Sequence, residues 1–220
     1  GKRSRPHRTG AGARLGAARA ALAALAVGLA AASRARNPVF YDREGPWREV
    51  VAQYPDSVRG RNNLGTELFR QLEEHGADAA RAPALVTEIR ALFEGLLSFN
   101  QADYYALTNL ADLERKVGAP ERSAGLLKRS LEIQPAQAGA HLKLATNYHR
   151  RNRLAEARRH YQEALQLDPT EADVHNNFAL LLRAQGEVDE ARRLWRQGHA
   201  FRPDNSLLNE NRRIIFGPPP

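Results

Sequence analysis

The chain has 220 residues, a hydrophobic fraction of 42%, and 33 Lys or Arg residues against 25 Asp or Glu. This is enough to bury the core of one or two domains. It contains no Cys, which excludes disulfide frameworks, thiol nucleophiles and cysteine-ligated zinc or iron–sulfur centres. It contains no Met either, so Gly1 is not an initiator residue and we expect a processed or excised segment.

The net charge of +8 lies entirely in the first part of the chain. Residues 1–36 hold eight basic residues and no acidic residue, whereas 25 basic and 25 acidic residues balance each other over residues 37–220. A nucleic-acid-binding surface needs a surplus of Lys and Arg on the folded part of the protein. We therefore expect no nucleic-acid partner.

Residues 1–36 form a basic arm around an apolar, Ala-rich run at residues 20–32. The run has the length of a signal-peptide core and ends in small residues. Extended back to residue 15, it is also near the short limit for a transmembrane helix. A soluble Ala-rich helix without a membrane role is the third interpretation. Because the basic residues precede the run, both membrane interpretations leave the N-terminus in the cytoplasm. They predict a hydrophobic helix that tethers or exports the rest to the periplasmic or lumenal side.

A repeat of 34 residues follows. Pro135, Pro169 and Pro203 stand 34 residues apart, and a period of this length predicts a solenoid. Small side chains allow two helices to approach, and large side chains fill the groove beside them. Large and small residues recur in register with the prolines: Leu110, Leu144 and Phe178; Ala111, Ala145 and Ala179; Ser123, Ala157 and Ala191; Leu127, Tyr161 and Trp195; Ser130, Ala164 and Gly198; Ile133, Leu167 and Phe201.

The period divides the chain into helix pairs. Residues 104–137, 138–171 and 172–205 match one another closely, and an earlier copy at 58–103 is 12 residues longer. We place this insertion at residues 72–83, as a polar turn before a second helix at residues 84–99. Residues 37–57 predict a linker and a lone half-repeat helix. Residues 206–220 predict a capping helix, with Ser206 as its N-cap, and a proline tail.

This pattern resembles the tetratricopeptide repeat. The resemblance implies an all-α fold, in which antiparallel helix pairs stack into a right-handed superhelix with a concave inner face. The first helix of each pair would line that face. It also implies a protein-binding role.

Residues that could carry catalysis do not form a recognisable set. The sequence has no phosphate loop, no dinucleotide-binding fingerprint and no zinc-binding HExxH, so we expect no catalysis and no cofactor or metal in this segment. His141 and His175 occupy the same place in successive repeats. That place usually packs a bulky side chain, so we interpret both as packing residues.

The sixth place of the repeat carries the candidate binding residues. Asn63, Asn109 and Asn177 recur there, with Lys143 as the single departure. A carboxamide both donates and accepts hydrogen bonds, so a ladder of them can pair with the backbone of an extended peptide. The alternative is that these Asn residues crosslink neighbouring helices. Lys143, Arg150 and Arg183 would favour an acidic peptide.

The start of the repeat region suggests a second family. Arg36, Asn37, Tyr41, Asp42, Trp47, Val50, Val51, Tyr54, Pro55, Ser57, Asn62, Asn63, Leu64 and Gly65 follow the apolar run in this order. This junction looks like that of the transmembrane and TPR-containing O-mannosyltransferases. The resemblance covers residues 15–70 and implies that the segment is the acceptor-binding part of a multi-span membrane glycosyltransferase, whose catalytic acids lie elsewhere. The first hypothesis remains a non-catalytic binding scaffold, membrane-tethered or exported.

Overall fold

A computed structural model describes residues 43–74 and 81–216. Within these ranges the regular structure is entirely helical, with ten α-helices and no strand, which confirms the predicted all-α class. The helices are α1 Gly45–Gln53, α2 Val58–Glu74, α3 Ala82–Phe99, α4 Tyr104–Lys116, α5 Pro120–Ile133, α6 Ala138–Arg150, α7 Leu154–Leu167, α8 Ala172–Ala184, α9 Val188–Phe201 and α10 Ser206–Phe216.

The helices pack as consecutive pairs. The most extensive contacts are those of α2 with α3, α4 with α5, α6 with α7, and α8 with α9, and each pair also contacts the next one along the chain. The lone helix α1 packs on α2, and α10 packs on both α8 and α9. Each pair therefore buries its remaining apolar surface against its neighbours, as in a solenoid.

The recurrent small residues lie where the helices of a pair approach each other. Ala111, Ala145 and Ala179 are at most 1% exposed. The first pair has Gly65 at this place, where an added Cβ would stand 2.6 Å from Cζ of Phe93. The large residues Leu127, Tyr161 and Trp195 are buried as well. Ile133, Leu167 and Phe201, in contrast, are 39%, 42% and 50% exposed, so this recurrent set does not belong to the core.

Three turns within the pairs have the same backbone structure. Gly118, Asn152 and Gly186 lie 34 residues apart and have φ angles of 82°, 57° and 87°. Gly adopts this left-handed conformation without steric cost, and Asn tolerates it better than most residues. The N–H of the following residue then bonds a carbonyl five residues back in the first helix, at 2.8–2.9 Å in all three turns. This arrangement ends α4, α6 and α8 in the same way.

The insertion in the first pair differs from the prediction of a polar turn at 72–83. Helix α2 continues to Glu74, with Leu72 buried in the core, and α3 begins at Ala82. Leu72 gains burial by extending α2, and Pro83 fits the first turn of α3, where its missing N–H needs no acceptor. Helices α2 and α3 have 17 and 18 residues, against 13 and 14 in the later pairs. Each is therefore longer by four residues. Residues 75–80 lie outside the described ranges.

The capping helix α10 begins differently from the prediction. Asn205, not Ser206, caps its N-terminus, since Oδ1 of Asn205 accepts a hydrogen bond from the Leu208 N–H at 3.0 Å. Trp195 Nε1 donates to the Leu208 carbonyl at 2.9 Å, and the ring of Phe216 packs edge-on against Trp195. The end of the solenoid is thus closed by both polar and apolar contacts.

Side-chain hydrogen bonds also join four of the five loops between successive repeats to the helix that follows. The carbonyls of Pro55, Pro135, Pro169 and Pro203 each accept a bond from the side chain six residues later. The donors are Arg61, His141, His175 and Asn209 respectively. At the remaining junction Gln101 replaces the proline and Leu107 replaces the donor. The proline and the polar side chain therefore occur together.

The predicted hydrophobic helix of residues 1–36 and the proline tail after residue 216 lie outside the described residues. Within residues 43–74 and 81–216, no helix combines the length and apolar character needed to cross a membrane.

We predict that Ala145→Leu destabilises the protein, because the added atoms have no space in a fully buried site. Overpacking of this kind costs about 1–3 kcal/mol. Urea unfolding followed by circular dichroism measures the change. Ala155→Leu, at an exposed position of α7, is the matched control. Equal stabilities of the two variants would show that the helix register is wrong.

Candidate functional site

The predicted ladder residues lie on the first helices of successive pairs. Asn63 is on α2, Asn109 on α4, Lys143 on α6 and Asn177 on α8, and all four are half-buried. Neighbouring first helices contact one another, α2 with α4, α6 with α8, and α8 with α10. Asn211 on α10 extends the series by a further 34 residues. We call the set Asn63, Asn109, Lys143, Asn177 and Asn211 the amide row.

Lys143 links two neighbouring first helices. Its Nζ lies 2.6 Å from Oδ2 of Asp112 on α4, and the two side chains are 34% and 20% exposed. This ion pair shares the Lys143 charge with a carboxylate of the protein itself. An acidic ligand at this point of the row must therefore compete with Asp112.

A chain of carboxamides connects the last two members of the row. Asn211 Nδ2 donates to Asn176 Oδ1 at 3.1 Å, and Asn176 Nδ2 donates to Asn177 Oδ1 at 3.3 Å. Asn176 is only 1% exposed, so this chain satisfies a polar group that burial would otherwise penalise. At this end of the row, Asn211 crosslinks α10 to α8. Asn177 Oδ1 accepts one hydrogen bond in this chain, and its side-chain Nδ2 donates none within the described residues.

The first two members of the row are not crosslinked in this way. Within the described residues the side chains of Asn63 and Asn109 make no hydrogen bond, and Asn109 borders a cleft of about 30 Å³. Phe69 and Phe93 line the cleft beside the polar Thr66 and Asp112. Asn62 occupies the place of Asn176, yet its Oδ1 is buried and has no partner among the described residues. The α2–α4 part of the row thus has free donors and acceptors.

Basic side chains collect at the carboxyl ends of the first helices. Helix α4 ends with Arg115 and Lys116, and helix α6 ends with Arg150. Arg183 lies in the last turn of α8. Arg150, Arg183 and Lys116 are exposed. None of the four is among the ion pairs found within the described residues. We call these four the basic edge. Cations are stabilised at helix carboxyl ends by the helix dipole, so the edge also has a role in the fold.

His149 adds no positive charge to this edge at neutral pH, because burial lowers its pKa. Its ring meets Tyr161 edge-on, and the Tyr161 hydroxyl bonds Thr146 Oγ1 at 3.4 Å. Burial raises the pKa of Tyr161 to about 12. Both groups are therefore neutral packing residues. Within the described residues, no three His, Asp or Glu side chains are grouped so as to hold a metal ion.

Two family models match the region that contains the later helix pairs. One, described as TPR repeat, matches residues 145–182, and one, described as Tetratricopeptide repeat, matches residues 172–202. This part of the chain consists of tetratricopeptide repeats. No curated protein matches the chain.

Solved structures of low sequence identity share the fold of most of the chain. A crystal structure of MamA has a TM-score of 0.61 at 15% identity, and the match covers 76% of this chain and 93% of MamA. A second MamA structure has a TM-score of 0.58 at 14% identity, and the match covers 86% of this chain and 92% of the MamA chain. The first TPR of Spaghetti (RPAP3), solved with the HSP90 peptide SRMEEVD, has a TM-score of 0.49 at 16% identity. That match covers 51% of this chain and 89% of the RPAP3 chain.

Sequence reasoning missed three parts of this tetratricopeptide-repeat face. Asn211 could have been found, since it continues the 34-residue spacing of the amide row. The Lys143–Asp112 pair and the role of Asn176 depend on the distance between neighbouring first helices. That distance has no signal in a single sequence.

We predict that Asn211→Ala lowers the free energy of unfolding. The substitution leaves Asn176 Oδ1 buried without a donor, which costs about 1–3 kcal/mol. Urea unfolding of the two proteins measures the change. The exposed neighbour Glu210 provides the control, Glu210→Ala. A variant as stable as this control would mean that the carboxamide chain does not hold α10 in place.

Proposed function

We propose that this chain is a non-catalytic protein-interaction scaffold that binds an extended peptide along the face of its first helices. The observation that carries the proposal is the repetition of half-buried carboxamides at Asn63, Asn109 and Asn177. Peptide backbone presents N–H and C=O groups at regular intervals, and a carboxamide can bond both. Affinity then comes from the backbone, and specificity comes from the groups beside it.

Charge supports a preference for acidic peptides. The exposed Arg150 and Arg183 of the basic edge are not held in ion pairs within the described residues, whereas Lys143 is held by Asp112. We therefore assign most of the selectivity to Arg150 and Arg183, and a smaller part to Lys143. Exposed cations at the rim of an interface act mainly on association rate and on salt dependence.

The alternative is an acceptor-binding domain of a membrane glycosyltransferase of the O-mannosyltransferase type. It rests on the sequence of residues 15–70, of which residues 15–42 lie outside the described ranges. Membrane tethering or export through residues 1–36 is likewise a proposal from sequence. Membrane fractionation of the full chain and of residues 37–220 tests the tether. Both forms in the soluble fraction would contradict it.

The binding test uses an array of random-sequence peptides with graded net charge. We predict that Asn109→Ala with Asn177→Ala weakens binding to all bound peptides, by about 0.5–1.5 kcal/mol per lost neutral hydrogen bond. Arg150→Ala with Arg183→Ala should instead reduce binding of acidic peptides selectively and lower the salt dependence. Fluorescence anisotropy of the selected peptides measures both effects.

The matched control removes two exposed carboxamides from second helices, Gln162→Ala on α7 and Gln197→Ala on α9. This pair should leave binding unchanged. Melting temperatures of all variants separate lost affinity from lost folding. Equal affinities in the wild type and the Asn variant would restrict the amide row to a structural role and place recognition elsewhere.

A further inference from the structure

Two histidines outside the amide row form a continuous hydrogen-bond chain. Arg159 Nη2 lies 3.4 Å from His160 Nε2, and His160 Nδ1 lies 3.0 Å from His141 Nδ1. His141 Nε2 in turn lies 3.1 Å from the carbonyl oxygen of Pro135. We call this chain of four residues the histidine relay. It connects α7 through α6 to the loop that follows α5.

The two ends of the relay fix the proton on each ring. Arg is always a donor and a carbonyl oxygen is always an acceptor. His160 must therefore accept at Nε2 and carry its proton on Nδ1, from which it donates to His141. His141 then accepts at Nδ1 and carries its proton on Nε2, from which it donates to Pro135. The complete relay requires both rings to be neutral, each in one defined tautomer.

Neighbouring repeats lack this arrangement. One repeat earlier, the same two places hold Leu107 and Leu126, both buried. One repeat later they hold His175 and Leu194, and His175 still donates to the carbonyl of Pro169. Without a second histidine, however, Nδ1 of His175 is buried and has no partner among the described residues. His160 therefore supplies a hydrogen-bond donor to Nδ1 of His141, whereas Nδ1 of His175 has no donor within residues 43–74 and 81–216.

The groups around the relay disfavour a positive charge on the rings. Arg159 and Lys128 add positive charge from α7 and α5, and Tyr148 of α6 stacks on His160 with a centroid distance of 5.7 Å. Glu156 of α7 and Glu132 of α5 are acids that border the relay. Burial, followed by the charges of His141, Arg159 and Lys128, lowers the pKa of His160 from 6.5 to about 4.

Protons can reach the relay from solvent. An open cavity of about 290 Å³ is lined by His141 and His160 together with Lys128, Glu132 and Arg159. A proton added to Nδ1 of His141 faces the N–H of His160. A proton added to Nε2 of His160 faces the guanidinium of Arg159. The relay then loses a hydrogen bond and gains a repulsion. Protonation of His141 therefore breaks the link between α7 and α6, and protonation of His160 breaks its bond to Arg159. His141 Nε2 still donates to Pro135 in either case.

We propose that the histidine relay makes the packing of α7 on α6, within the third helix pair, sensitive to acid. The relay links the two helices at neutral pH, and protonation breaks that link. In the unfolded chain a histidine takes up its proton near pH 6.5, whereas burial lowers the pKa of His160 in the folded chain to about 4. The folded state thus binds fewer protons, so stability is complete above about pH 6.5 and falls as the pH drops toward about 4. This inference stands independently of peptide binding.

The first test is NMR on the full chain with ¹⁵N-labelled histidine. Long-range ¹H–¹⁵N spectra distinguish the two neutral tautomers. We expect His160 to carry its proton on Nδ1 and His141 on Nε2 at neutral pH, and both patterns to disappear together on acidification. Two Nε2-protonated rings that titrate independently near their ordinary pKa would overturn the proposal. Assignment uses the single variants His141→Gln and His160→Gln.

The second test uses thermal melts at about pH 7.5 and pH 5, the two sides of the titration of an ordinary histidine. His141→Leu with His160→Leu recreates the Leu107–Leu126 pair of the preceding repeat and should remove most of the wild-type loss in melting temperature at pH 5. His149, whose pKa is also lowered by burial, keeps its own contribution in both proteins. His199→Gln removes a ring outside the relay and should behave as wild type. An undiminished loss in a folded double variant would exclude the relay, and the NMR test remains decisive if this variant does not fold.

Discussion

Each helix pair of this protein leaves an apolar face that only the next pair can cover, and every other feature depends on this stacking constraint. The small residues Ala111, Ala145 and Ala179 allow the approach within pairs. Between pairs, the loops are tied by side chains that donate to a proline carbonyl, as His175 does to Pro169. The amide row exists because this stacking brings equivalent residues of successive first helices side by side.

The longer first pair, α2 and α3, follows the same stacking constraint. Twelve extra residues could have formed one large loop, but α2 and α3 each gain four. Four residues are close to one helical turn, so both helices become longer while their buried faces keep the same direction. Leu72 joins the core as a result. The amide row can therefore include Asn63 as well as the residues of the regular pairs.

The sequence alone predicted the all-helical class, because a 34-residue period depends on apolar side chains that recur with each repeat. It also predicted, from their spacing, that Asn63, Asn109 and Asn177 lie at equivalent places on first helices. Contacts between repeats could not be predicted in the same way. Whether Lys143 meets Asp112, or Asn211 meets Asn176, depends on the separation of two helices that are distant in sequence. Ser206 was a plausible N-cap by residue type, yet Asn205 takes that role because it precedes the first helical residue.

We propose that the amide row contacts the backbone of a bound peptide. The most direct measurement is the structure of the full chain in complex with a peptide selected from the array, by crystallography or by NMR. We expect an extended peptide across α2, α4, α6 and α8, with the side-chain amides of Asn109 and Asn177 within hydrogen-bonding distance of its N–H and C=O groups. A peptide bound to the second helices, or one that contacts the first helices without bonds to these amides, would contradict it.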